Sequence, residues 1–293
     1  MPRIVFIGLG AMGAPMACNL TRAGFEVAAY DRAAAAREKA AALGLAPASS
    51  LEDAARCADA AVTMLQNGDQ VLNVWRALLP QLPKGAVIVD CSTIDMESAR
   101  QAHDLARRAG MLAVDAPVSG GVAGAQAGTL TFMCGGAEDA YEAAQPILAK
   151  MGARLFHCGG PGLGQAAKLC NNLMLGVTMI ATAEAFALAA RLGLAAQSLF
   201  DVASASSGQS WSLTRYCPAP GLVPGAPSGA GYAPGFMTRL MLKDLRLAET
   251  AAAEARAVTP LCAAAAQLYA LYDAQGGGEK DFSGIFEMLD GKA

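Results

Sequence analysis

The chain has 293 residues, of which 54% are hydrophobic and 16% charged, with a formal net charge of −3 and no basic block. That length accommodates two domains or one large α/β domain with an extension. The apolar balance favours extensive helix–helix burial over disorder, and the charge leaves no electrostatic footprint for a nucleic-acid partner.

Residues Ile4 to Ile7 form a continuous apolar run, as expected of a strand buried on both faces of a parallel sheet. With this strand starting at residue 3, no signal or transit peptide is expected. Further strands are predicted at 26–30, 60–65, 86–90, 111–115, 129–134 and 154–158. Helical patterns lie between most of them, at 11–23, 33–43, 51–57, 70–79, 96–108 and 137–151. Such alternation predicts an α/β, Rossmann-type doubly wound sheet with right-handed crossovers over residues 1–160.

Past the glycines at 159–162 the strand signal ends. Helices are predicted at 163–191, 196–205, 209–216, 237–256, 259–274 and 282–289, so residues 161–293 read as an all-α C-terminal domain. Its most apolar run, 169–183, lies between Lys168 and Glu184 and contains two asparagines. It reads as too short and too polar to span a bilayer, hence as a core helix, and no membrane partner is expected. Residues 217–236 hold five prolines and five glycines, which rules out regular structure and suggests a functional loop or a subunit arm. The eight cysteines show no C-x-x-C pair and no histidine cluster, which indicates reduced core thiols and no metal site. A reducing cytoplasm is the natural compartment, although a processed organellar protein would read the same.

Gly8-Leu9-Gly10-Ala11-Met12-Gly13 follows the first strand and opens a helix. The first glycine permits a tight turn, the second lets backbone approach a pyrophosphate, and the third lets helix and strand pack closely. Asp31, 18 positions past Gly13, ends the second strand. A carboxylate there accepts hydrogen bonds from the adenosine ribose and repels a 2′-phosphate, so NAD is expected over NADP. Arg32 softens that preference by offering a phosphate partner, and turn capping is the competing role for Asp31. Two more strand ends, at Leu65-Gln66 and at Thr93, point at the same cofactor. Thr93 also suits the N-cap of the helix that follows.

The fifth strand runs into Asp115-Ala116-Pro117-Val118-Ser119-Gly120-Gly121. Ser119 with two glycines offers a hydroxyl and unshielded N–H groups, a nest for a substrate carboxylate, against the plainer reading of a glycine-rich turn. Lys168 and Asn172 are four residues apart and project from one helix face. A lysine at a helix start ordinarily faces solvent. Here it follows a dinucleotide-binding domain, where an amine can exchange a proton with an alcohol or carbonyl. Competing chemistries lack their residues: no tyrosine starts a Tyr-x-x-x-Lys pair, and only His103 and His157 are available as imidazoles.

With these residues assembled, the chain resembles the β-hydroxyacid dehydrogenase family. The resemblance rests on four blocks: residues 6–17, 115–122, the Gly-x-Gly-x-x-x-Lys-x-x-Asn-Asn of 162–172, and Lys243-Asp244-Leu245. In segments 206–212, 216–236 and 280–283 it most resembles the branch of that family acting in valine breakdown, which implies NAD-dependent oxidation of 3-hydroxyisobutyrate to methylmalonate semialdehyde. The resemblance implies Lys168 as catalytic lysine. It implies Ser119, Gly120, Gly121, Asn172, Trp211 and Phe236 as substrate contacts, Thr93 and Lys243 as cofactor contacts, and Asp244 as the residue positioning the lysines. Gln66 departs from the proline common at that position. A nicotinamide and partial burial would lower the lysine's pKa while a substrate carboxylate opposes them, giving an alkaline optimum for oxidation. The alternatives are a reductase of tartronate or succinic semialdehyde and a non-catalytic NAD-binding protein, the latter disfavoured because the lysine is retained. The long apolar helix suggests a homodimer or homotetramer.

Overall fold

The computed structural model describes residues 2–291. Chain contacts divide it into two compact units that meet after Lys168.

Unit 1 alternates strands and helices in this order: β1 (Arg3–Ile7), α1 (Gly13–Arg22), β2 (Glu26–Tyr30), α2 (Ala34–Ala42), α3 (Leu51–Ala55), β3 (Ala60–Thr63) and α4 (Gly68–Leu78). Next come β4 (Val87–Asp90), α5 (Met96–Arg108), β5 (Leu112–Asp115), β6 (Val118–Ser119), α6 (Gly121–Ala127), β7 (Leu130–Gly135), α7 (Glu138–Leu148) and β8 (Gly152–Gly159). The sheet order is β2-β1-β3-β4-β5-β7-β6, with β8 beside β7. The first five strands are parallel. Because β2 lies on one side of β1 and β3 on the other, the crevice above β1 and β3 is the switch point where ligands of such sheets bind. Side chains of β1 alternate between the two faces: Ile4 and Phe6 join the cluster with Met16, Leu20 and Phe132, while Val5 and Ile7 join Val71, Trp75 and Ile88. Burial on both faces explains the unbroken apolar run in the sequence.

Past β5 the sheet departs from a purely parallel pattern. β7 runs antiparallel to both β5 and β6, and β8 then pairs parallel to β7. The two-residue β6 and the seven-residue α6 were absent from the sequence reading, which took this stretch as a turn.

Helix α8 (Leu163–Arg191) begins in unit 1 and continues into unit 2, where α9 (Ala196–Ser204), α10 (Trp211–Thr214), α11 (Thr238–Glu254), α12 (Pro260–Tyr272) and α13 (Ile285–Leu289) follow. By length and composition alone α8 is sufficient to cross a membrane, with mean hydropathy 1.8 over its most apolar window. The added length comes from the residues on either side of the 169–183 run, within the predicted bounds of 163–191, and the core helix of a soluble protein meets the same criterion. The same helix nevertheless carries buried polar side chains at Gln165, Lys168 and Asn172. In unit 2, Gly176 of α8 lets α11 approach closely, since a Cβ there would lie 3.1 Å from a Leu245 methyl. The 217–236 segment is a hydrogen-bonded loop with one short 3-10 turn: Ser228 Oγ donates to the Cys217 carbonyl at 2.7 Å and Tyr232 Oη to that of Pro218 at 2.8 Å.

Candidate active site

In unit 1 the carboxyl ends of the parallel strands carry most of the residues singled out in the sequence. Gly8 adopts φ +99°, and a Cβ there would collide with the Met64 carbonyl at 2.1 Å. At Gly13 a Cβ would meet the Gly8 carbonyl at 1.9 Å. Nothing lies within 4 Å of a Cβ built on Gly10, so that glycine keeps space open above the helix start. No side chain caps α1; Pro15 carries no N–H and the Ala14 N–H is taken by the Gly10 carbonyl at 3.2 Å, so the loop ending in Gly13 meets a ligand here with its own backbone. Leu9 and Ala11 complete the loop.

Asp31 closes the loop from the side. Its Oδ2 accepts the Leu9 N–H at 2.8 Å and its Oδ1 the Ala33 N–H at 2.8 Å, so the turn-capping role is real. Each carboxylate oxygen retains a further lone pair, enough for a ribose hydroxyl as well. Arg32 is exposed. Arg37, unremarked in the sequence, stacks over Tyr30 and donates to the Asp31 and Arg32 carbonyls. The open space at Gly10, the uncapped helix start and this carboxylate fit a dinucleotide.

The next strand ends are tied together below that loop. The Leu65 N–H donates to Ser92 Oγ at 2.8 Å, and Ser92 Oγ donates to Asp90 Oδ1 at 2.6 Å. Thr63 Oγ1 donates to the same Asp90 oxygen at 2.7 Å. Burial pushes the Asp90 carboxyl up to about 6 against the opposing pull of the Ser92 and Thr63 hydrogen bonds, with a small contribution from Asp115. Gln66 is exposed at the loop edge. Thr93 is half-buried and does not cap α5: Asp95 does, accepting the Ser98 N–H at 2.7 Å. The helix register starts two residues later than a Thr93 cap requires.

Asp115, quoted in the sequence motif but given no role there, is the acceptor at the centre of this region. Its Oδ1 lies 2.8 Å from His103 Nε2 and accepts the Gly162 N–H at 2.8 Å, and its Oδ2 accepts the Gln165 N–H at 2.9 Å. A buried carboxylate therefore caps α8, where the helix dipole favours negative charge. His103 has a structural role, as expected. Three residues past Gln165, Lys168 is only 7% exposed, so the solvent-facing alternative is discarded. Ser119 ends β6 half-buried, followed by Gly120 at φ +132° and Gly121 at φ +62°, where α6 starts without a side-chain cap.

Unit 2 gathers the remaining candidates into two groups. Asn172 Nδ2 donates to Asp244 Oδ2 at 2.6 Å, and Lys243 Nζ lies 3.2 Å from Asp244 Oδ1. Separately, Trp211 stacks on Tyr216, Tyr216 on Phe282, and Phe236 meets Phe282 edge-on. The fully buried Asp281, part of the 280–283 segment but given no role there, organises this cluster: its Oδ2 accepts Tyr216 Oη at 2.8 Å and the N–H groups of Gly235 and Phe236 at 3.1 and 2.9 Å. Burial and the neighbouring carboxylate keep the Tyr216 phenol protonated well above its usual range, consistent with donation.

A Gly-rich loop closed by a carboxylate, below a switch-point crevice, gives unit 1 the architecture of a nicotinamide-dependent dehydrogenase. Comparison with known proteins carries this further. Residues 3–160 match the NAD binding domain of 6-phosphogluconate dehydrogenase, and residues 162–289 match the NAD-binding domain of NADP-dependent 3-hydroxyisobutyrate dehydrogenase. A probable 3-hydroxyisobutyrate dehydrogenase of Mycobacterium tuberculosis is 46% identical over 293 residues, covering 100% of this chain and 99% of the relative. An NAD-dependent L-serine dehydrogenase of Pseudomonas aeruginosa is 45% identical, covering 99% and 98%. The solved structure of the Mycobacterium tuberculosis 3-hydroxyisobutyrate dehydrogenase with L-serine superposes with a TM-score of 0.95 over 99% of both chains. The chain belongs to the 3-hydroxyisobutyrate dehydrogenase family, oxidoreductases that act on a CH–OH group with a nicotinamide cofactor.

Proposed function

We propose that the chain oxidises 3-hydroxyisobutyrate to methylmalonate semialdehyde, with NAD as the preferred cofactor. The observation that carries this reading is the burial of Lys168 in the first turns of α8. An ammonium is costly to bury, and a helix-start lysine with no task would extend into water. Residues 1–160 serve chiefly the cofactor in this reading, with Ser119, Gly120 and Gly121 given to the substrate, and 161–293 serve the substrate and subunit contacts, with Lys243 given to the cofactor.

When bound, the nicotinamide supplies the hydride acceptor. Ser119 Oγ and the N–H groups of Gly120 and Gly121 receive the substrate carboxylate. Lys168 accepts the proton of the 3-hydroxyl as hydride leaves C3, and Asn172, one helical turn on, orients the substrate. Trp211 and Phe236 offer apolar surface to the methyl branch. Leu65, Gln66, Thr93 and Lys243 contact the cofactor, and Asp244 holds Lys243 and Asn172 in place. Asp31 selects for the ribose hydroxyls, with its second lone pairs as the acceptors. A cytoplasmic location belongs to the same reading.

L-Serine is a second candidate substrate, favoured by the relative named for that activity. It shares the 3-hydroxy carboxylate and differs by an ammonium in place of the methyl. Steady-state kcat/KM for both alcohols, and for reduction of tartronate and succinic semialdehydes, each with NAD(H) and NADP(H), ranks these options. Lys168→Ala should lower kcat by ~10²-fold or more at unchanged NAD affinity, the loss expected for a positioned acid/base. Near-native turnover in that variant would refute the mechanism.

A further inference from the structure

We propose that Gln165 is a positioning residue that sets Lys168 in register with the cofactor-side loop of β4, an inference that rests on the hydride-transfer reading above. Gln165 is completely buried. Its Nε2 donates to the Ser92 carbonyl at 2.8 Å, and its Oε1 accepts the Ile94 N–H at 3.2 Å. The two bonds clamp the backbone on either side of Thr93. Ser92 in turn receives the Leu65 N–H through its hydroxyl. One side chain thus joins the ends of β3 and β4, which face the cofactor crevice, to the helix that carries Lys168 three residues further on.

Capping alone does not call for this side chain. Asp115 already takes the Gly162 and Gln165 main-chain N–H groups, and neither bond uses the glutamine amide. A residue needed only to fill space here would be apolar, because burying an amide costs free energy unless both ends are bonded. Glutamine is the neutral side chain long enough to donate to one backbone group while accepting from another two residues away. Asparagine is one methylene shorter, and a glutamate carboxylate would oppose the Ser92 carbonyl. Transfer of hydride and proton together requires the amine and the nicotinamide to share one frame, and a displacement of about 1 Å costs ~10²-fold in rate.

The test uses Gln165→Leu and Gln165→Glu in the full-length protein. In Gln165→Leu, kcat should fall ~10- to 10²-fold while the Kd for NAD, from fluorescence titration, stays within about twofold. The primary isotope effect with substrate deuterated at C3 should rise as hydride transfer becomes more limiting. In Gln165→Glu the deficit relative to the parent should narrow as pH falls, since a protonated carboxyl regains the donor to Ser92. If Gln165→Leu fails to fold, this near-isosteric variant carries the test. Turnover within about twofold of the parent, or loss of kcat and NAD affinity in equal proportion, would overturn the proposal. If the parent enzyme oxidises no 3-hydroxy acid, the functional reading fails and hydrogen exchange decides the role of Gln165. Added NAD should then slow exchange of amides 166–168 in the parent and not in Gln165→Leu, and equal slowing in both would refute the coupling.

Discussion

Asp31 and Asp90 both follow or end a parallel strand at its carboxyl end, yet one borders solvent while the other is sealed beneath the cofactor loop. Asp31 holds two backbone N–H groups with its two oxygens, and under the proposed NAD preference this carboxylate repels a 2′-phosphate. Asp31→Ser removes that repulsion and leaves Arg32 beside the vacated position. The ratio of kcat/KM for NAD over NADP should therefore fall by ~10-fold or more, equivalent to the roughly 1.4 kcal/mol of a weakened charge contact. An unchanged ratio would show that Asp31 acts only as a cap. Asp90 makes a different prediction. Its Oδ2 has no hydrogen-bond partner, and its folded carboxyl is raised to about 6 from an ordinary 3.8, chiefly by burial. A raised carboxyl binds its proton more tightly in the folded state, so its stabilisation is full below about pH 3.8 and is lost as pH rises through 6. Between pH 4 and pH 7 this group costs about 2 kcal/mol of stability. Asp90→Asn abolishes that slope, so urea midpoints of variant and parent should converge, or cross, on going from pH 4 to pH 7. Parallel pH profiles would refute a titrating Asp90.

At the scale of elements, one carboxylate ties down the far end of the Pro-Gly loop of 217–236 and the tyrosine that precedes it. Asp281 accepts from the Tyr216 phenol, the Gly235 and Phe236 N–H groups, and the Ser283 N–H and hydroxyl. Asp281→Ala strands buried donors and should lower unfolding free energy by about 3 kcal/mol or more, seen as a drop in urea midpoint. Asp281→Asn keeps one acceptor oxygen and should lose less. Equal stability of the alanine variant would mean that the loop is held by its aromatic stacking and by the Ser228 and Tyr232 hydrogen bonds instead. The sequence revealed that this loop is special but not what holds it, because Asp281 lies 45 residues beyond the N–H it receives from Phe236. Elements with strong local signals were legible: α5 runs from 96 to 108 and α8 from 163 to 191, as their periodicity predicts. Helix α6 was not, since Gly121, Gly124 and the flanking glycines give it almost no intrinsic propensity. It forms where Asn19 of α1 donates to the Ala125 carbonyl at 2.6 Å, a contact 106 residues apart in sequence. Lys168, the proposed catalytic lysine, was legible for the opposite reason, because its glycines and asparagines lie within one short segment. Gln165 lay in that same segment and was passed over, since its partners, Ser92 and Ile94, lie on another strand end.

For the whole molecule, the unresolved demand is apolar surface in unit 2. Met174, Leu188 and Leu192 in or just past α8, and Val258, Leu261 and Leu271 in or beside α12, are each half or more exposed. Single exposed leucines are ordinary, but here the most apolar window of a 29-residue helix is only 39% buried. Three coverings are conceivable on composition: lipid, another protein, or a second copy. Lipid fits poorly, because Lys168, Asn171 and Asn172 lie on the same helix and polar groups in a bilayer core need partners within it. We propose a second copy, which meets its own α8 through a two-fold axis and so needs one self-complementary face. A stable interface of this kind buries on the order of 1,000 Å² or more. Light scattering behind size exclusion should therefore give a dimer or tetramer for the parent chain. Leu188→Glu with Leu192→Glu introduces like charges on both sides of a two-fold interface and should shift the mass toward the monomer, with Tm falling as the shared core is lost. A parent protein that elutes only as monomer across micromolar concentrations would leave the α8 surface without its proposed cover. A double variant that remains fully oligomeric would place the contact elsewhere, on the α12 leucines, which Leu261→Glu and Leu271→Glu then test in the same way.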